Sequence, residues 1–122
     1  MAGKRPLSSM SPTIILKDKK LFMVVGSPGG ARIITTVLQV ISNVIDHKME
    51  LGAALAAPRF HNQWSPDKIR IESFGLSIDT QNLLKKMGYK LVEMPDMGDV
   101  NAIIKDFKSG FYYGATDPRK EF

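Results

Sequence analysis

Two short apolar runs, Thr13-Ile14-Ile15-Leu16 and Leu21-Phe22-Met23-Val24-Val25, are joined by the polar stretch Lys17-Asp18-Lys19-Lys20. β-Branched and aromatic side chains on either side of a polar turn predict a hairpin. Both runs are almost continuously apolar rather than alternating, which predicts a sheet covered on both faces and therefore a layered fold. From Ala31 the period changes: Ile33, Ile34, Val37, Leu38, Val40, Ile41, Val44 and Ile45 fall in a broad stripe at helical spacing, with Arg32, Thr36, Gln39, Asn43 and Asp46 opposite. A second, alanine-rich helix is expected from Leu51 to Ala57, stopping before Pro58 because proline disfavours helical geometry in the residue ahead of it.

Ile69-Arg70-Ile71-Glu72 alternates like a strand. Either Ser77 or Asp79 can cap a helix that runs through Lys86 and ends at Gly88, with two lysines in its last turn. Tyr89 to Met94 reads as another strand, and Val100–Phe107 with Phe111–Tyr113 as a closing hairpin around Ser109-Gly110. Hairpin, two helices, strand, helix, strand, hairpin is the order of an α+β sandwich of sheets flanked by helices.

The 122 residues are enough for one domain. A net charge of +5 would suit an acidic partner, but Lys17, Lys19, Lys20, Lys48, Lys68, Lys85, Lys86 and Lys90 are scattered over turns and element ends without interleaved aromatics. That distribution describes a solvated surface, so nucleic acid is not an expected partner. Cysteine is absent, which removes disulfides, thiolate metal sites and a cysteine nucleophile. His47 and His61 have no second ligand at metal spacing, and neither metal nor cofactor is expected. Met1 to Pro6 has charges but no apolar segment behind them, so no targeting signal is expected, and Ile33–Ile45 is too short and polar to span a bilayer.

Three small-residue segments carry candidate chemistry. Ser8 and Ser9 offer adjacent hydroxyls, which serve equally as turn chemistry or as donors to a carboxylate. Gly29 and Gly30 stand between strand and helix, where a glycine pair makes a tight turn or lets backbone N–H groups approach an anionic oxygen. A phosphate loop is the competing use, but Ala31-Arg32 follows where a Lys-Ser/Thr pair is required. A serine, histidine and acid set can be assembled on paper from Ser8 or Ser9, His61 and Asp117, yet no nucleophile-elbow pattern supports it. Asp117-Pro118-Arg119, taken alone, predicts a surface turn with a weak local ion pair.

Lys4-Arg5-Pro6-Leu7-Ser8-Ser9-Met10-Ser11-Pro12-Thr13, Gly26-Ser27-Pro28-Gly29-Gly30, Ala57-Pro58-Arg59-Phe60-His61-Asn62-Gln63-Trp64 and Gly114-Ala115-Thr116-Asp117-Pro118-Arg119 together resemble the small subunit of γ-glutamyltransferase (γ-glutamyl transpeptidase). The resemblance covers nearly the whole chain but only the C-terminal part of that subunit, so residues 1–122 are expected to be a single incomplete domain. It implies the αββα four-layer sandwich of N-terminal nucleophile hydrolases. It also implies a precursor that cleaves itself into two subunits, and a new N-terminal threonine that attacks the γ-glutamyl amide of glutathione and related compounds. An amino acid, peptide or water then resolves the acyl-enzyme.

By the same resemblance Ser8 and Ser9 bind the substrate α-carboxylate, Gly29 and Gly30 form the oxyanion hole, and Asp117-Pro118-Arg119 is structural. His61 is read as structural too, because the threonine's own amine serves as base. The implied partners are the large subunit and the N-terminal part of the small subunit of the same precursor, with glutathione and other γ-glutamyl compounds as substrates. The implied location is periplasmic, secreted or cell-surface. The family's threonine lies before the serine pair, whereas Thr13, Thr35, Thr36, Thr80 and Thr116 all follow it. The isolated chain is therefore expected to be inactive and, lacking strands of its sandwich, to self-associate. The alternative is a noncatalytic light-chain remnant that acts as a binding or interaction module.

Overall fold

A computed structural model describes residues 2–119. Strands β1 (Thr13–Lys17) and β2 (Lys20–Gly26) form the expected hairpin. A 3₁₀ turn at Gly30–Arg32 leads into α1 (Ile33–Ile45), followed by α2 (Leu51–Ala56), the short β3 (Phe60–His61) and β4 (Ile69–Glu72). Helix α3 (Ile78–Lys86), β5 (Leu91–Met94), β6 (Asn101–Lys105) and β7 (Tyr112–Thr116) complete the order.

The strands make two sheets: an antiparallel one ordered β1-β2-β6-β7, and a smaller one ordered β3-β4-β5 in which β4 and β5 run parallel across the α3 connection. The core lies between one face of the larger sheet and the helices. Met23, Val25 and Ala102 meet Val37, Val40 and Val44 of α1 and Leu51, Ala54 and Leu55 of α2. Ser77, not Asp79, caps α3, with its hydroxyl accepting from the Thr80 N–H. No helix among the described residues is long and apolar enough to cross a membrane.

Several expectations are corrected. Thr36 falls on the polar side of α1 by spacing but is only 1% exposed, whereas Ile34 and Leu38 face outward, so the buried stripe is narrower than the pattern implies. The two-residue β3 is too short to leave a periodic signal. Strand β5 begins at Leu91 rather than Tyr89, and β7 continues to Thr116 rather than ending at Tyr113 because Asn101 pairs with Thr116. The first hairpin is covered on one face only within this chain. On the other face Ile14, Leu16, Leu21, Val24, Ile103 and Tyr112 are exposed, Ile14 by 68%.

A sheet face meant for water alternates polar residues outward, and this one does not. The chain expressed alone is expected to associate through that face. Size-exclusion chromatography with light scattering over a concentration series checks this, and a rising apparent mass is the expected outcome.

Candidate functional site

The antiparallel pairing gathers four segments at one end of the larger sheet. Thr13 lies opposite Val25, Gly26 opposite Asn101, and Asn101 opposite Thr116. The Ser8-Ser9 segment before β1, the glycine turn after β2, residues 97–100 before β6 and Asp117–Arg119 after β7 therefore all leave the sheet from the same end.

In the first segment, the exposed Ser8 hydroxyl oxygen accepts from the Met10 N–H at 3.2 Å, which leaves its own hydrogen uncommitted. The half-buried Ser9 uses its carbonyl to accept from the Ser11 hydroxyl at 3.1 Å, and its own hydroxyl has no partner among the described residues. Two hydroxyl donors are thus available side by side.

The glycine turn has geometry that other residues resist: Gly29 sits at φ 141° and Gly30 at φ 60°. The Gly29 carbonyl accepts from the Arg32 N–H at 3.3 Å and the Gly30 carbonyl from the Ile33 N–H. The N–H groups of Gly29 and Gly30 donate to nothing among the described residues. Free amides at the start of a helix are the chemistry that holds an anionic oxygen.

Behind this turn lies a loop that the sequence did not reveal. Gly98, at φ 81°, has no room for a side chain: a Cβ there would stand 2.8 Å from Thr36 Cγ2 and 2.9 Å from Ser27 Oγ. Ser27 Oγ accepts from the Asp99 N–H at 3.0 Å and donates to the Pro28 carbonyl at 2.7 Å.

The loop is fixed in turn by buried charges. Glu72 accepts the Met97 N–H at 2.6 Å and the Arg59 N–H at 2.8 Å. Arg119 reaches both Glu72 oxygens, at 2.9 and 2.6 Å, and Asp117 at 2.9 Å. Arg59 pairs with Asp117 at 2.6 Å, donates to the Met97 carbonyl at 2.6 Å and to the Leu55 carbonyl at 2.8 Å. The Leu55 and Ala57 carbonyls at the end of α2 also accept from Arg119, each at 2.8 Å. Two cations and two anions therefore neutralise one another while closing the C-terminal end of a helix, where positive charge is favoured. The expected surface turn at Asp117-Pro118-Arg119 is corrected, since the Asp117 side chain is fully buried.

Burial alone would raise the Asp117 pKa. The Val100 N–H, Arg119 and Arg59 outweigh it and hold the carboxyl below its usual range. Burial works against the Arg119 charge as well, but Glu72 and Asp117 reverse that and raise its pKa. Arg59 stays lowered, because its burial outweighs the help from Asp117.

His61 is buried with both ring nitrogens engaged, Nδ1 with the Thr35 hydroxyl at 2.7 Å and Nε2 with Gln63 Oε1 at 2.9 Å. It pins β3 to α1 and is not joined to Ser8, Ser9 or Asp117 in a catalytic set. No group of three or more His, Cys, Asp or Glu among the described residues is placed to hold a metal ion.

The Gamma-glutamyltranspeptidase family model matches residues 1–122. The chain belongs to this family. It is 53% identical over 117 residues to the glutathione hydrolase proenzyme of Escherichia coli strain K12, covering 96% of this chain and 20% of that protein. A crystal structure of a mutant Helicobacter pylori γ-glutamyltranspeptidase superimposes with a TM-score of 0.92 at 63% identity, covering 98% of this chain and 66% of that one. A Pseudomonas nitroreducens γ-glutamyltranspeptidase gives 0.89 at 41% identity, covering 100% of this chain and 64% of that one. The chain thus spans about a fifth of the length of the E. coli relative. Its fold is α+β and part of the αββα sandwich of N-terminal nucleophile hydrolases, to which it contributes a sheet with helices on one face.

The candidate residues read differently in space than in sequence. The segments carrying Ser8-Ser9 and Gly29-Gly30 leave the same end of the sheet, and Ser27, Thr36, Arg59, Glu72 and Gly98, which pack behind the glycine turn and its neighbouring loop, carry no signal of this in the sequence. Glu72 gave a misleading signal: strand alternation turns it away from Ile71, yet both are buried in the central strand of the smaller sheet.

Arg59→Ala is expected to destabilise the protein by roughly 3–5 kcal/mol, because it takes one of the two cations from buried Asp117 and the donor from the Met97 carbonyl, and chemical denaturation measures this. Asp117 has a lowered folded pKa, so its contribution is complete above its unfolded value of about 3.9 and lost as pH falls through the folded value. Asp117→Asn should lower stability at neutral pH and flatten the acid limb of the stability profile.

Proposed function

We propose that this chain is the C-terminal part of the small subunit of a γ-glutamyltransferase. In the complete protein it serves cleavage of the γ-glutamyl amide of glutathione and related compounds, with transfer to an amino acid, peptide or water. The observation that carries the reading is the pair of uncommitted donor sets, the hydroxyls of Ser8 and Ser9 and the amides of Gly29 and Gly30, on segments that leave one end of one sheet in a chain of this family.

Each set suits a different part of a γ-glutamyl group. Hydroxyls donate to the α-carboxylate, which keeps its charge throughout. The glycine amides receive the γ-carbonyl oxygen when the threonine hydroxyl oxygen attacks the carbonyl carbon and its π electrons move onto that oxygen. The threonine's own amine takes the hydroxyl proton and passes it to the leaving amine, so that collapse expels a neutral amine and leaves the γ-glutamyl ester of threonine. An amino acid, peptide or water attacks the ester carbonyl in the second half of the cycle, and the same amides hold the oxyanion again.

The nucleophile belongs to the N-terminal part of the small subunit, and the large subunit completes the substrate pocket. The uncovered apolar face with Ile14, Leu16, Val24 and Ile103 is where the rest of the small subunit supplies the second sheet of the sandwich. Residues 1–122 are accordingly one incomplete domain of that assembly. Membership of the family supports a periplasmic, secreted or cell-surface location.

In the complete enzyme, Ser8→Ala with Ser9→Ala should raise KM for a γ-glutamyl anilide about tenfold or more with a smaller change in kcat. Gly29→Ala, which forces a side chain onto φ 141°, should instead lower kcat about 100-fold, the loss typical of one oxyanion donor. Steady-state kinetics on both variants decide the assignment, and equal effects on KM and kcat in both would overturn it.

A further inference from the structure

We propose that Ser27 is a positioning residue that aims the Gly29 N–H into the site, and that the Gly98 loop holds Ser27 in place. This rests on the reading of Gly29 as an oxyanion donor. The Ser27 hydroxyl donates to the Pro28 carbonyl at 2.7 Å. That carbonyl belongs to the same planar unit as the Gly29 N–H, and in a trans peptide the two point in opposite directions. Anchoring the carbonyl against Ser27 therefore turns the amide hydrogen to the far side, where it has no protein partner among the described residues.

Ser27 is itself held. Its oxygen accepts the Asp99 N–H at 3.0 Å, so its single hydrogen is left for the Pro28 carbonyl. Gly98 permits this approach, because any Cβ would meet Ser27 Oγ at 2.9 Å and Thr36 Cγ2 at 2.8 Å. One residue earlier, Met97 is only 1% exposed and gripped from both sides, its N–H by Glu72 and its carbonyl by Arg59, each at 2.6 Å. The chain of contacts runs from buried ion pairs through Met97 and Asp99 to Ser27, and from Ser27 to the peptide that carries the donor. A donor fixed before the reaction needs no reorganisation when charge develops, which is why its orientation affects the chemical step more than substrate binding.

The test uses the complete, self-processed enzyme with a γ-glutamyl anilide, rates being expressed per processed small subunit. Ser27→Ala should lower kcat about tenfold with KM within about twofold, since a loosened donor loses part of what a missing one loses. Gly98→Ala should act in the same direction, and combining it with Ser27→Ala should cost less than the product of the two single effects, because both work through the same hydroxyl. Gly29→Ala is measured alongside. A normal kcat for Ser27→Ala beside an impaired Gly29→Ala overturns the positioning role and leaves the oxyanion reading standing. A normal kcat for Gly29→Ala overturns both. Should Gly98→Ala fail to fold, the Ser27→Ala split between kcat and KM still decides: a rise in KM without loss of kcat overturns the proposal.

Discussion

Two carboxylates, Glu72 and Asp117, each accept from four donors supplied by Arg59, Arg119 and the backbone. Charges buried this far from water are costly singly and tolerable only when every oxygen is used, and these are. Because the donors come from the segment after α2, the loop before β6 and the segment after β7, satisfying the carboxylates brings those segments to one place. The electrostatic requirement thus becomes a geometric one.

That geometry bears on chemistry because the larger sheet is antiparallel, so the starts of β1 and β6 and the finishes of β2 and β7 share one end of it. Serine hydroxyls, glycine amides and their bracing loop are collected there without any of them being close in sequence. The apolar helices and sheet supply the stability, while the ionic cluster fixes which way the loops leave the sheet. Division of labour of this kind places polar donors on loops held by a rigid scaffold.

Much of this was legible in the chain. The first hairpin and α1 follow from hydrophobic pattern, because those segments are long enough to repeat it, whereas α3 follows from its Ser77 cap and last-turn lysines and the closing hairpin from its Ser109-Gly110 turn. Ser8, Ser9, Gly29 and Gly30 were visible through motifs and resemblance. What remained hidden depends on contacts between distant segments: Arg59, Glu72 and Asp117 look like ordinary surface charges until their partners are known. Ser27 and Gly98 look like turn residues until one is seen to sit in the space that the other leaves. Thr36 escapes the pattern because periodicity ranks side chains by polarity, and a threonine facing the close backbone approach at Gly98 is buried for its shape. The apolar hairpin predicts two covered faces, and this chain covers one of them, leaving Ile14, Leu16 and Ile103 exposed on the other.

The central claim is that the ionic cluster controls the loop behind the glycine turn. Its most direct test is amide hydrogen exchange in the complete enzyme, comparing wild type with Glu72→Gln, in which a donor replaces one of the carboxylate oxygens. The account predicts faster exchange at Met97, whose N–H loses its charged acceptor, together with Asp99, whose N–H is held by Ser27. Protection in the core of α1 should stay unchanged. Unaltered exchange at Asp99 despite a freed Met97 would show that the cluster and the glycine turn are independent, and would contradict the account.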